Sequence, residues 1–155
     1  MKWTYSRAAI FPIAALFITL IFASCNLNHG LHPIPITGIS GTITFRGNWP
    51  EETEFVRIVV YRDYPPPSLI AITAFSDPIP FGSKTYSYEL QIPPGTYHWI
   101  LVAWKAKNVP FTDIHTLGVY YAQHDSTSPG SVTVEKDKLT PHVDITADFG
   151  VLSSP

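Results

Sequence analysis

At 155 residues the chain has room for one ordinary domain with a real hydrophobic core. Ten lysines and arginines stand against 12 aspartates and glutamates, a formal net charge of −2 at pH 7, and they form no long block of one sign. This balance argues against nucleic acid or anionic lipid headgroups as partners, because both select dense basic patches.

Taken in chain order, the first segment is not part of a folded domain. Lys2 and Arg7 precede a nearly unbroken apolar run, Ala8 to Phe22, and the small residues "ASC" follow at 23–25. This is the layout of a secretory signal. The run is shorter than the roughly 20 apolar residues that a spanning helix needs. Cys25 is the chain's one cysteine, so it has no internal disulfide partner. The stretch "IFASC" resembles the bacterial lipobox, with Phe22 where that motif usually carries leucine. The resemblance implies cleavage between Ser24 and Cys25 and lipid on Cys25. Buried acyl methylenes contribute about 0.8 kcal/mol each, so several chains would anchor the protein stably. Asn26, in place of an aspartate after the cysteine, implies sorting to the outer membrane. Loss of Lys2 and Arg7 with the signal leaves eight basic residues against 12 acidic ones, a net charge of −4.

From Asn26 to Thr37, "NLNHGLHPIPIT" is polar and then punctuated by proline, as a tether would be. Beyond it, period-two alternation takes over and no amphipathic helix stands out. "SGTITFRG" alternates around Ile43 and Phe45, and "FVRIVVYRD" (55–63) is rich in β-branched residues. "LIAITAF" (69–75) is a short apolar run between prolines. "KTYSYELQI" places Tyr86, Tyr88, Leu90 and Ile92 on one side. "TYHWILVAWKA" (96–106), "TLGVYYA" (116–122), "SVTVE" (131–135) and "HVDITADF" (142–149) complete the set. These strands, separated by Pro, Gly, Asn, Asp and Ser clusters, predict an all-β fold: a single antiparallel β-sandwich of seven to eight strands. The expected boundaries are a signal peptide at 1–24, a lipidated N-terminus and tether at 25–37, the sandwich at 38–150 and a tail at 151–155.

At "YSYELQIPPGTYHWILVAW" an aromatic strand, a proline-glycine turn, Thr-Tyr and a second apolar strand follow one another. This pattern resembles the transthyretin-like, or carboxypeptidase regulatory-like, sandwich domains. "ISGTITF" and "VRIVVYRD" resemble their first two strands, and "SVTVEKDKLTPHVDITADF" their closing hairpin. The match spans most of Ile39 to Phe149. It departs from the family at "FGSKTYSY", where an Asp-x-x-Gly turn is expected, and at the apolar insert Leu69–Phe75. Such domains are mostly non-catalytic modules for binding or spacing.

The chemistry-bearing residues are sparse. Asp113 and His115 sit two apart and share a strand face, with His124 and Asp125 in the next loop. Imidazole and carboxylate suit several divalent ions, yet this spacing matches no established zinc site and no HExxH occurs. There is no G-x-S-x-G elbow, and Cys25 would be consumed by lipid. Asp144 and Asp148 lie about 13 Å apart on one strand face, too far for a glycosidase pair. A catalytic role is therefore not expected, and neither is a metal or cofactor. The aromatics carry more promise. Trp104, Tyr120 and Trp49 could stack on sugar rings or anchor a protein interface, with Ile100 beside Trp104. The family resemblance assigns Tyr97, Trp99, Leu101 and Ala103 to the core. Ile100, Val102 and Trp104 then form a second apolar face, either bare or covered by the 64–81 connection. The expectation is a non-catalytic, lipid-anchored envelope protein for interaction or scaffolding. The alternatives are carbohydrate binding through Trp104, Tyr120 or Trp49, and a metal-dependent or hydrolytic activity around Asp113, His115 and His124.

Overall fold

The computed structural model describes residues 35–68, 70–122 and 127–153. The expected signal peptide, Cys25 and most of the expected tether lie outside the described residues, as do His124 and Asp125. The β-branched and aromatic runs form ten strands in chain order: β1 Gly38–Arg46, β2 Thr53–Tyr61, β3 Ala74–Phe75, β4 Thr85–Gln91, β5 Gly95–Tyr97, β6 Trp99–Ala106, β7 His115–Val119, β8 Val132–Val134, β9 Leu139–Thr140 and β10 Ile145–Asp148. A 3-10 helix, Phe149–Ser153, follows. The strands make a four-stranded sheet in which β1 lies between β4 and β10, a second four-stranded sheet ordered β3-β2-β6-β7, and the β5–β8 ribbon. This is an all-β sandwich. Residues from Pro35 onward form one compact unit, and with a core of their own they can fold without the preceding segment.

Two pairings depart from the antiparallel expectation. β4 runs antiparallel to β1, but β9 and β10 both run parallel to it along its other edge. Alternation fixes which face a side chain takes, not the direction of the neighbouring strand, so the sequence pattern is silent on this. The closing hairpin expected from residues 131–149 is not formed, because β8 pairs with β5. Between β9 and β10 the chain runs along β1, where the Val143 amide donates to the Ser40 carbonyl at 3.0 Å.

The main core fills the space between the sheets. Ile39 and Ile43 of β1 and Ile145 and Ala147 of β10 meet Val56, Ile58 and Val60 of β2 and Ile100, Val102 and Trp104 of β6. The two sheets also meet at one edge, β7 against β10. There a Cβ on Gly118 would stand 2.1 Å from the Thr146 carbonyl oxygen, a distance that only glycine allows.

The orientation of β6 is the reverse of the expected one. Tyr97 is indeed fully buried, and its hydroxyl donates to the Pro93 carbonyl at 2.6 Å, tying down the proline-glycine turn. The strand does not continue through it, however. β5 pairs with β8, and at His98 the chain leaves that ribbon to enter the second sheet as β6. The His98 amide bonds to the Arg62 carbonyl at 3.1 Å, and its Nδ1 meets Ser131 Oγ at 2.7 Å. This break resets the alternation. Ile100, Val102 and Trp104 therefore point into the main core, while Trp99, Leu101 and Ala103 lie on the outer face of the sheet.

Tyr88 of β4 reaches across β1 to the segment that leads into β10. Its buried hydroxyl donates to the Val143 carbonyl at 2.7 Å. Burial first, and then the Asp144 carboxylate, push its pKa well above the ordinary tyrosine value. A raised pKa contributes stability that is complete below the unfolded value and is lost as pH climbs past it. Folding stability should therefore fall above about pH 10. Tyr88→Phe should cost about 1 kcal/mol at neutral pH and flatten that alkaline decline. Urea midpoints measured from neutral pH to about pH 11 check this; parallel declines in both proteins would assign the effect elsewhere.

Candidate functional site: an apolar cleft on the outer face of the second sheet

β2 and β6 are apolar on both faces, and their outer residues build a site. The register places Arg57 opposite Ala103, Val59 opposite Leu101 and Tyr61 opposite Trp99. These pairs form the floor of a cleft of about 300 Å³, at the small end of typical ligand sites. One wall comes from the run read in the sequence as an odd apolar insert, through Ile70, Ile72 and Phe75. It is fastened to β2 by the Thr73 amide on the Val60 carbonyl at 2.8 Å and the Ser76 amide on the Ile58 carbonyl at 3.0 Å. The other wall is Phe111 and Ile114, in the connection from β6 to β7. At one end Trp99 packs between Tyr61 and Tyr64, with ring centroids 5.1 and 5.5 Å away.

The connection between β2 and β3 therefore covers this face only in part. Of eight large apolar residues that stand exposed among those described, Ile70, Phe75 and Phe111 line the cleft and Tyr64 caps Trp99 at its end. Half of the exposed apolar side chains thus gather in one place, as they do at binding surfaces.

Arg57 carries the one charge among the described lining residues. Its guanidinium lies 5.2 Å from the ring centroids of both Phe55 and Phe75, and Nη1 donates to the Ser76 carbonyl at 3.2 Å. Its Nε is buried and meets no acceptor among the described residues. An unmet buried donor costs about 1–3 kcal/mol, so such groups are rare and call for an explanation.

The residues singled out in the sequence are placed elsewhere. Trp104 is only 6% exposed and Ile100 is fully buried, so neither presents a face to a partner. The Trp104 indole instead donates to Thr53 Oγ1 at 2.9 Å. Tyr120 is half-buried against the core, and its amide bonds to the Ile100 carbonyl at 2.8 Å. Trp49 is held in an aromatic cluster with Phe45, Phe81 and Phe149, at 4.9, 5.5 and 5.0 Å, and its Nε1 donates to the Ser83 carbonyl. Asp113 and His115 do approach, Oδ1 to Nε2 at 3.5 Å, on the exposed surface. Asp144 and Asp148 serve the backbone, accepting from the Thr42 and Gly150 amides, each at 2.7 Å. Sequence reasoning missed Phe55, Arg57, Phe111 and Ile114, and put Trp99 inside. The one available signal was Arg57, the one charge within the run 55–61, marking the face turned away from the core.

Compared with known proteins, the chain matches no family, no curated protein and no solved structure.

Proposed function

We propose that the protein is a non-catalytic envelope module, held to the outer membrane by lipid on Cys25, that docks a protein partner on the outer face of the second sheet. The observation that carries this is the concentration of exposed apolar side chains around the cleft floored by Val59, Leu101 and Trp99. Rigid strands hold this face, and aromatic anchors of this kind dominate the energetics of protein interfaces. The anchor rests on the lipobox-like "IFASC", and the transthyretin-like assignment on the strand and turn motifs between Ile39 and Phe149. Sugar binding finds less support. A pyranose needs several polar partners around its ring, whereas the cleft lining is almost wholly apolar.

Two measurements test the reading. Cys25→Ser should move the protein from the membrane to the soluble fraction; an unchanged membrane fraction removes the lipid anchor. A photo-crosslinking residue at Phe111, on the cleft rim, should capture a discrete partner in intact envelopes. The same residue at Phe81, which is equally exposed but away from the cleft, should not. Equal capture at both positions, or none at Phe111, rejects docking at this face.

A further inference from the structure

We infer that the cleft itself binds a free fatty acid, with the acyl chain on the Leu101–Trp99 floor and the carboxylate on Arg57. This goes beyond protein docking: the rim serves the partner, and the cavity beneath takes a small ligand.

Three observations converge on that chemistry. The cavity is about 300 Å³ and its floor and walls are aliphatic and aromatic, with Ile72 and Ile114 facing it from either side. Such a space takes an apolar body and offers a sugar or nucleotide almost no partners. A single cation, Arg57, stands among the described lining residues, and no carboxylate there neutralises it. Finally, the Arg57 side chain is pinned by its Nη1 bond to Ser76 and by Phe55 and Phe75. A guanidinium so fixed is prepared for a carboxylate, because it offers a charge-assisted bond and little side-chain entropy is lost on binding. One anion on an otherwise apolar molecule is the complement of this lining.

The test uses residues 35–155, which form a compact unit with their own core, and compares decanoate with decanol, which share a chain length and differ in charge. Decanoate should bind and change tryptophan emission, and Trp99→Phe should remove most of that change. Arg57→Gln should weaken decanoate at least about tenfold and leave decanol unaltered, while Arg57→Lys should retain part of the affinity. Thermal melts identify any variant that fails to fold. If unliganded Arg57→Gln melts well below the parent, the acid-versus-alcohol preference of the parent protein decides alone. Equal affinity of the parent for acid and alcohol overturns the role of Arg57. No binding of either compound overturns the ligand altogether. Neither result touches crosslinking at Phe111, so the two readings fail separately.

Discussion

Replacing Trp104 with alanine should lower folding stability by about 3–5 kcal/mol, the usual cost of deleting a buried aromatic. The indole lies within the main core at 6% exposure, among residues supplied by both sheets. Its Nε1 donates to Thr53 Oγ1 at 2.9 Å, and that hydroxyl donates in turn to the Pro50 carbonyl at 2.6 Å. The substitution thus opens a cavity and also strips one link from a buried hydrogen-bonded chain at the start of β2. Against a typical stability of about 5–15 kcal/mol, such a loss is a large fraction of the total. Trp104→Phe should cost less, because most of the volume stays and chiefly the hydrogen bond goes. Trp99→Ala should also cost less, since Trp99 is only half-buried at the cleft. Urea denaturation checks the series through shifts in midpoint at constant slope. If Trp104→Ala proved as stable as the parent while Trp99→Ala collapsed, β6 would be facing the other way.

The second large effect is expected at the seam between the sheets. Gly118→Ala should destabilise by about 3 kcal/mol, at or above the upper end of ordinary overpacking. The new Cβ would fall 2.1 Å from the Thr146 carbonyl oxygen and 2.9 Å from its carbon. Both atoms belong to the backbone of β10, so no side chain can rotate aside, and the strands must separate. Gly82→Ala offers the contrast. Nothing lies within 4 Å of its Cβ position, but φ is +81°, so its cost is the left-handed conformation alone, about 1–2 kcal/mol. Thermal melts of the two variants give the comparison, and a Gly118→Ala protein that melts with the parent would mean that β7 and β10 do not touch.

The strands were legible because their alternation is a direct imprint of having one face buried. β1, β2, β4 and β8 fall where "SGTITFRG", "FVRIVVYRD", "KTYSYELQI" and "SVTVE" place them. β6 shows where alternation stops informing. With bulky apolar residues on both faces, either set could serve the core, and His98 looked like one more alternating position when it is the bend between two sheets. Arg57 marks the outward face of β2, and the register passes that mark to Ala103, Leu101 and Trp99. Register, however, is a property of the pair and is not written in either strand. The cleft was hidden for the same reason. Its walls come from segments forty residues apart, Ile70–Phe75 and Phe111–Ile114, which only the β3-β2-β6-β7 order brings to one face.

The parallel union of the first and last strands has a mechanical consequence. Ile43 to Arg46 pair with Ile145 to Asp148 in the same direction, so the chain enters and leaves this joint at opposite ends. Tension between residue 35 and residue 153 therefore pulls the two strands lengthwise past each other and strains all their ladder bonds together, instead of peeling them one after another. Held by its leading end and tugged by its trailing one, the sandwich resists as a lap joint does, in shear.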